Sequence, residues 1–208
     1  MIDFSLLLAF VLAASILSLT PGVDTAMVLR SATVDGRRPA ILAAIGIALG
    51  CVMWGAAVAL GLGTLLRASY LAYTMVKIAG AAYLIWLGGK LLLKPRAALR
   101  TEDQSPAPGG SGAFWRGFLT NLLNPKVGVF YVTFLPQFVP AGAPVAGYIF
   151  FLACIHVAIT LAWFAALITA TAPLGRFLRQ PEAVRALDRI TGLVFIAFGL
   201  KLATSRVS

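Results

Sequence analysis

Acidic side chains are scarce. The 208 residues hold 7 Asp and Glu against 17 Lys and Arg, and only 12% of the chain is charged while 60% is hydrophobic. A soluble domain would have to hide nearly all of that apolar surface, so a soluble globular protein is excluded. Histidine occurs once, at His156, too few for a histidine-rich metal site. Cysteine occurs twice, at Cys51 and Cys154, both inside apolar runs and without CxxC or metal-ligand spacing. Two buried structural thiols are expected there. HExxH, GxSxG, a P-loop and CxxC are all missing, so no enzyme chemistry is expected and no cofactor or metal is called for. The opening Met1-Ile2-Asp3-Phe4 lacks a basic n-region, so the first apolar segment is expected to stay on the protein.

What is there is a series of apolar runs of about 20 residues, the span a bilayer helix needs, with a mean hydropathy of +0.93. Phe4 to Ala32 is too long for one upright crossing, and Ala40 to Leu66 is an uncharged second span in which Gly46 and Gly50 allow close helix approach. Arg67 to Val76 reads as an interfacial connection anchored by Tyr70 and Tyr73, and Lys77 to Leu93 as the third span. KPRAALRTEDQSPAPGGSG, residues 94–112, reads as a linker between a first repeat (1–93) and a second (113–208). Ala113 to Val139 and Tyr148 to Ala172 are spans four and five, Arg176, Arg179, Arg185 and Arg189 fill a connection, and Ile190 to Ala203 is span six. The predicted fold is therefore an all-α integral membrane protein of six transmembrane helices, with membrane lipid as its partner. The cations cluster between apolar runs, which fits membrane loops and not a nucleic-acid surface. Self-association into a homo-oligomer is compatible with this pattern.

Two of the runs are broken in the middle. Thr20-Pro21-Gly22 interrupts the first, and Asn124-Pro125-Lys126 the fourth. Proline lacks an N–H, so each break frees backbone groups that hydrocarbon cannot satisfy and must face protein or a water-filled cavity. Thr20 and Asn124 suit helix capping, and Pro21 and Pro125 suit the first helical position. Asp24 then falls in the first turn after the first break. It completes a helix start, or it lies in a solute or proton pathway; the second reading is preferred because an intramembrane carboxylate is costly. Lys126 reads as a substrate ligand or as a snorkelling cation. For His156 a proton relay competes with a hydrogen-bonded core histidine. Thr20, Thr25 and Asn121 are polar neighbours of the breaks.

The halves overlay weakly but in order. Thr20-Pro21-Gly22-Val23 matches Asn124-Pro125-Lys126-Val127, and Ile78 to Tyr83 matches Ile190 to Phe195. Three spans per repeat is an odd number, so the repeats must be inverted, with the first and fourth helices broken at Pro. The positive-inside rule puts both termini outside. Arg30, Arg37, Arg38, Lys90, Lys94, Arg96, Arg100, Arg116, Arg176, Arg179, Arg185 and Arg189 then face the cytoplasm, and Arg67, Lys77, Lys201 and Arg206 face out.

TPGVDTAMVLRSATVDGRRPAILAAIGIALG, KIAGAAYLIWLGGKLL and GFLTNLLNPKVGVFYVTFLPQF, in this order, resemble the lysine exporter superfamily, in particular its threonine/homoserine efflux branch. The resemblance covers essentially the whole chain. It implies a bacterial inner-membrane exporter of amino acids or close derivatives, driven by protons, with Pro21, Gly22, Asp24, Asn124, Pro125 and Lys126 on the motif positions. Members often carry Pro-Gly-Pro where this chain has Pro21-Gly22-Val23. A zwitterion needs one acceptor and one donor. The residues permit Asp24 to hold the ammonium and Lys126, with the helix start at Pro125, to hold the carboxylate. An exporter of a metal ion or another small solute on the same fold is the alternative.

Overall fold

The computed structural model describes residues 3–68, 70–95 and 110–204. Asp3 starts α1 (Phe4–Leu19): its Oδ1 accepts from the amides of Ser5 and Leu6 at 3.0 and 3.1 Å. Along α1, Phe4, Leu8 and Leu12 are exposed at four-residue spacing while Phe10, Ala13, Ala14 and Leu17 are buried. Both faces are apolar, so the outer one suits lipid and not water. The chain breaks at Thr20–Gly22 and resumes as α2 (Val23–Arg30), which runs into a π-helical turn, Ser31–Asp35, closed by Gly36 at φ +94°. The axes on either side of the break differ by 55°.

Helix α3 (Arg37–Ala68) is followed by α4 (Tyr70–Leu93). The second half repeats the plan: α5 (Gly110–Leu122), a break at Leu123-Asn124, α6 (Pro125–Val129), a π turn (Phe130–Phe134) and a 3-10 turn (Leu135–Phe138). Then come α7 (Val145–Thr169), α8 (Thr171–Arg179) and α9 (Pro181–Thr204). The described segments Arg37–Gly61 and Val145–Thr169, 25 residues each and with an 18-residue stretch of mean hydropathy 2.3, are long and apolar enough to cross a membrane, and the bent pair of α1 with α2 and its π turn qualifies as one broken span. The chain is thus a multi-pass helical membrane protein.

Glycine sets the closest helix contacts. A Cβ on Gly46 would meet the backbone of Phe114 and Phe118, and one on Gly117 the backbone of Ala43, so α3 and α5 touch main chain to main chain. Gly88 meets the carbonyl of Gly192, and Gly199 that of Ala81, in the same way between α4 and α9. The packing role expected of Gly46 and Gly50 holds. The core between the layers is aromatic: Phe130 stacks on Phe134 with centroids 4.8 Å apart, Phe134 lies 4.2 Å from Phe198, and Phe10 meets Phe138 edge-on at 5.4 Å.

Several boundaries differ from the sequence reading. The expected connection from Arg67 to Val76 is helical up to Ala68 and again from Tyr70, because nothing in it breaks a helix. The side chains of Arg67, Tyr70 and Tyr73 lie outside the described ones. Arg176, Arg185 and Arg189 stand on α8 and α9, whose helices extend well past the apolar stretch. Most of the expected linker, 96–109, with Arg96 and Arg100, lies outside the described residues, as does Arg206. Cys51 is buried, but Cys154 is exposed on α7. An apolar helix with lipid on one side has no need to bury every small side chain.

Candidate functional site: a polar cavity between the two breaks

The second break forms as its residues dictate. Asn124 caps α6, its Oδ1 accepting from the Lys126 amide at 3.1 Å, with Pro125 at the first helical position. The first break does not. Thr20 ends α1 instead of starting α2: its hydroxyl donates back to the Ile16 carbonyl at 2.6 Å and meets the hydroxyl of Thr191 on α9. Gly22, in extended backbone, is the residue before α2 and offers no capping side chain. The expected cap by Thr20 fails because the Pro21-Gly22 pair adds an extended stretch that carries Thr20 out of reach of the α2 amides.

Asp24, in the first turn of α2, crosses to the other half of the chain. Its Oδ2 accepts from Asn121 Nδ2 at 2.8 Å and its Oδ1 from Asn124 Nδ2 at 3.4 Å. Lys126 crosses the opposite way, its Nζ 3.5 Å from the carbonyls of both Leu17 and Thr20. Those are carbonyls at the end of α1, where a cation is favoured by the helix dipole and by unfilled hydrogen-bond capacity. Each break is therefore served by charge from the other.

Between them lies a cavity lined by Ser18, Thr20, Gly22, Asp24, Thr25, Cys51, Asn121, Asn124, Lys126, His156 and Thr160, with apolar walls from Leu17, Val127 and Phe164. Room for the centre of a water molecule amounts to about 50 Å³, space for roughly four waters at ~10–15 Å³ each. His156 Nδ1 is 2.9 Å from the Tyr131 hydroxyl, and Ser18 and Thr160 hydroxyls are 3.4 Å apart. Pro21 is buried beside the cavity without lining it. Pro125 faces away, into a separate apolar cleft of about 420 Å³ with Trp54, Tyr83, Leu122 and Val132, which among the described residues shares only Asn124 with the polar cavity.

Sequence reasoning underrated the support around the charges. Asn121 is fully buried and binds both Asp24 and the Cys51 sulfur, the latter at 3.4 Å. Its spacing three residues before Asn124 was the available signal, one face of a helix end. Thr160 is one turn beyond His156 on the same face of α7 and was equally findable. Asp188, fully buried on α9 one turn before Thr191, was not, because its flanking arginines made that stretch look like a loop.

A multi-pass helical protein with a cavity lined by polar side chains at paired helix breaks has the make-up of a membrane translocator. The family model of LysE type translocators matches residues 15–206, and the chain belongs to that family. It is 28% identical to the membrane protein YrhP of Bacillus subtilis over 96% of this chain and 99% of that one. It is 29% identical to the leucine efflux protein of Klebsiella pneumoniae, covering 95% of this chain and 94% of the relative. It is 31% identical to the homoserine/homoserine lactone efflux protein of Salmonella typhimurium, over 95% and 96%. No solved structure matches the chain.

Proposed function

We propose that this protein exports amino acids or close derivatives across the bacterial inner membrane in exchange for protons. The observation that carries the reading is the crossing of charge: Asp24 from one break and Lys126 from the other line one cavity, as a ligand with an ammonium and a carboxylate requires. Two relatives of nearly full-length match are named for leucine and for homoserine or its lactone, and all of these carry an amino group. Asp24 accepts from the ammonium, Lys126 donates to the carboxylate, and Asn124, Thr20 and Gly22 shape the floor. The cavity is too small for such a ligand as it stands, so entry requires its walls to part. Protonation of Asp24 from the outer side removes the charge that held the ammonium and releases the substrate. His156, lining the same cavity, is the second group of the proton path.

The packing supports six spans in inverted repeats. Helices α4 and α9, 24 residues each, reach ~36 Å at 1.5 Å per residue, enough for a bilayer core of ~30 Å. Equivalent helices pair across the halves, α3 with α7 and α4 with α9, and contact of α3 with α5 is mirrored by α7 with α1. Gly117 against Ala43, Gly175 against Leu29 and Gly88 against Gly192 bring Arg116, Arg176 and Lys90 to the ends that carry Arg37, Arg30 and Arg189. Those cations gather at one end of the bundle, the cytoplasmic one, with both termini outside.

The test is transport in proteoliposomes with an acid interior, against a panel of amino acids. Gradient-driven uptake of leucine or homoserine by the wild type, lost in Asp24→Asn while counterflow at equal pH is less affected, supports the scheme. Undiminished gradient-driven uptake by Asp24→Asn sinks it.

A further inference from the structure

Asn121 holds Asp24 with only half of its amide. Both Nδ2 hydrogens are used, one toward Asp24 Oδ2 at 2.8 Å and one toward Cys51 Sγ at 3.4 Å. Its Oδ1 is buried and, among the described residues, has no hydrogen-bond partner. A buried acceptor left unmade keeps the full cost of its desolvation, which is why such atoms call for an explanation. Oδ1 points at Gly50 of α3: a Cβ there would lie 2.5 Å from Oδ1 and 3.0 Å from Asn121 Cγ. Glycine at 50 leaves the amide the space it occupies.

We infer that Asn121 is the positioning residue that reads the protonation state of Asp24, turning its amide by half a rotation when Asp24 takes up a proton. An ionised carboxylate offers only acceptors, and the amide answers with its N–H groups, as observed. A protonated carboxyl presents an O–H donor. In the turned amide Oδ1 accepts from that O–H, and from the Cys51 S–H, while Nδ2 takes the place against Gly50. One amide atom stays unmatched in either orientation, so the two are closely balanced and the proton on Asp24 decides between them. The proton comes from water on the outer side, rests on the Asp24 carboxyl and leaves to the inner side; Asn121 itself neither gains nor loses one.

The titratable groups that line the cavity with this pair are Cys51 on α3, Lys126 on α6 and His156 on α7. The Tyr131 hydroxyl is 2.9 Å from His156 Nδ1. A turn of Asn121 therefore changes what Cys51 donates and accepts. Asp24, Asn121 and Cys51, from α2, α5 and α3, form one contiguous set of hydrogen bonds, and His156 on α7 lines the same cavity.

This inference rests on the proton-coupled reading above, and one comparison separates the two. Radiolabelled leucine and homoserine uptake is measured in proteoliposomes, gradient-driven and by counterflow at equal pH, for wild type, Asn121→Leu and Asn121→Ser. Leucine cannot answer either state of Asp24, whereas a serine hydroxyl donates and accepts. The expected result is a ratio of gradient-driven to counterflow rate at least about tenfold lower in Asn121→Leu, with most of it restored in Asn121→Ser. If the wild type ignores the gradient, the proton-coupled reading fails and this inference with it. If the wild type responds and Asn121→Leu keeps the same ratio, the amide reads nothing and only the inference falls. Infrared spectroscopy supplies a readout free of transport. The protonated-carboxyl band that vanishes in Asp24→Asn shifts in Asn121→Leu toward the frequency of an acid whose O–H is free, the Asn124 contact to Oδ1 remaining; an unchanged band overturns the proposal.

Discussion

Asn124 joins the two halves of the chain at a single side chain: its Oδ1 caps α6 by accepting from the Lys126 amide, and its Nδ2 donates to Asp24, 100 residues earlier, at 3.4 Å. The amide is thus oriented by two partners of opposite demand. The start of one half-helix is fixed relative to the charge on the other, so motion at one break is felt at the other.

Separating the two jobs of Asn124 is direct. Asn124→Ala removes both, costing about 1 kcal/mol for the cap and more for the bond to a carboxylate, and lowers the melting temperature of the purified protein. Asn124→Asp keeps the cap but sets a second carboxylate against Asp24. It is expected to melt closer to the wild type than the alanine variant and to transport at least about tenfold less, since like charges share one site. Equal transport by Asn124→Asp and the wild type contradicts the arrangement.

The glycine contacts give a stability test away from the cavity. Gly46→Ala and Gly117→Ala each press a methyl against main chain of the facing helix, which cannot swing aside as a side chain can. Each is expected to destabilise by about 1–3 kcal/mol. Gly147→Ala on α7 has open space around its Cβ and gains up to about 1 kcal/mol of helix propensity. Thermal unfolding of all three in detergent checks the order.

The two breaks, the residues flanking them and the packing glycines were legible in the sequence because each departs from an otherwise uniform apolar background. Asn124-Pro125 is read correctly since its cap depends on adjacent residues alone. Thr20 is misread because its partners, Ile16 behind it and Thr191 on α9, outcompete the α2 amides, and Thr191 is 171 positions away. Asp188 and Cys154 show the same limit from both sides. A charged residue in a polar-looking stretch is buried, and an apolar-looking thiol faces outward, because helix packing and not local composition decides which face is covered.

That difference between the cysteines is measurable. A membrane-soluble maleimide is expected to modify Cys154, exposed on α7, and to spare Cys51, which sits behind Asn121 at about 1% exposure. Mass spectrometry of the labelled protein locates the adduct. Rapid labelling of Cys51 in the absence of substrate would place α3 differently from the packing described.

Lys126 carries the last prediction because its ammonium has two employments. It meets the α1 carbonyls of Leu17 and Thr20 now, and it is proposed to meet the substrate carboxylate when the cavity fills. Lys126→Met withdraws both. The lost carbonyl contacts lower stability by about 1–3 kcal/mol, but they touch nothing in the ligand, so they weaken all ligands alike. The lost carboxylate contact is selective. Leucine should therefore compete at least about tenfold less well for transport in Lys126→Met than in the wild type, whereas isoamylamine, the same skeleton without the carboxylate, should compete with unchanged potency after correction for the amount of folded protein. Lys126→Arg, which keeps a cation at the break, should retain part of the preference for leucine. If leucine and isoamylamine lose potency to the same extent, Lys126 serves the break alone, and the carboxylate must be held elsewhere in the cavity.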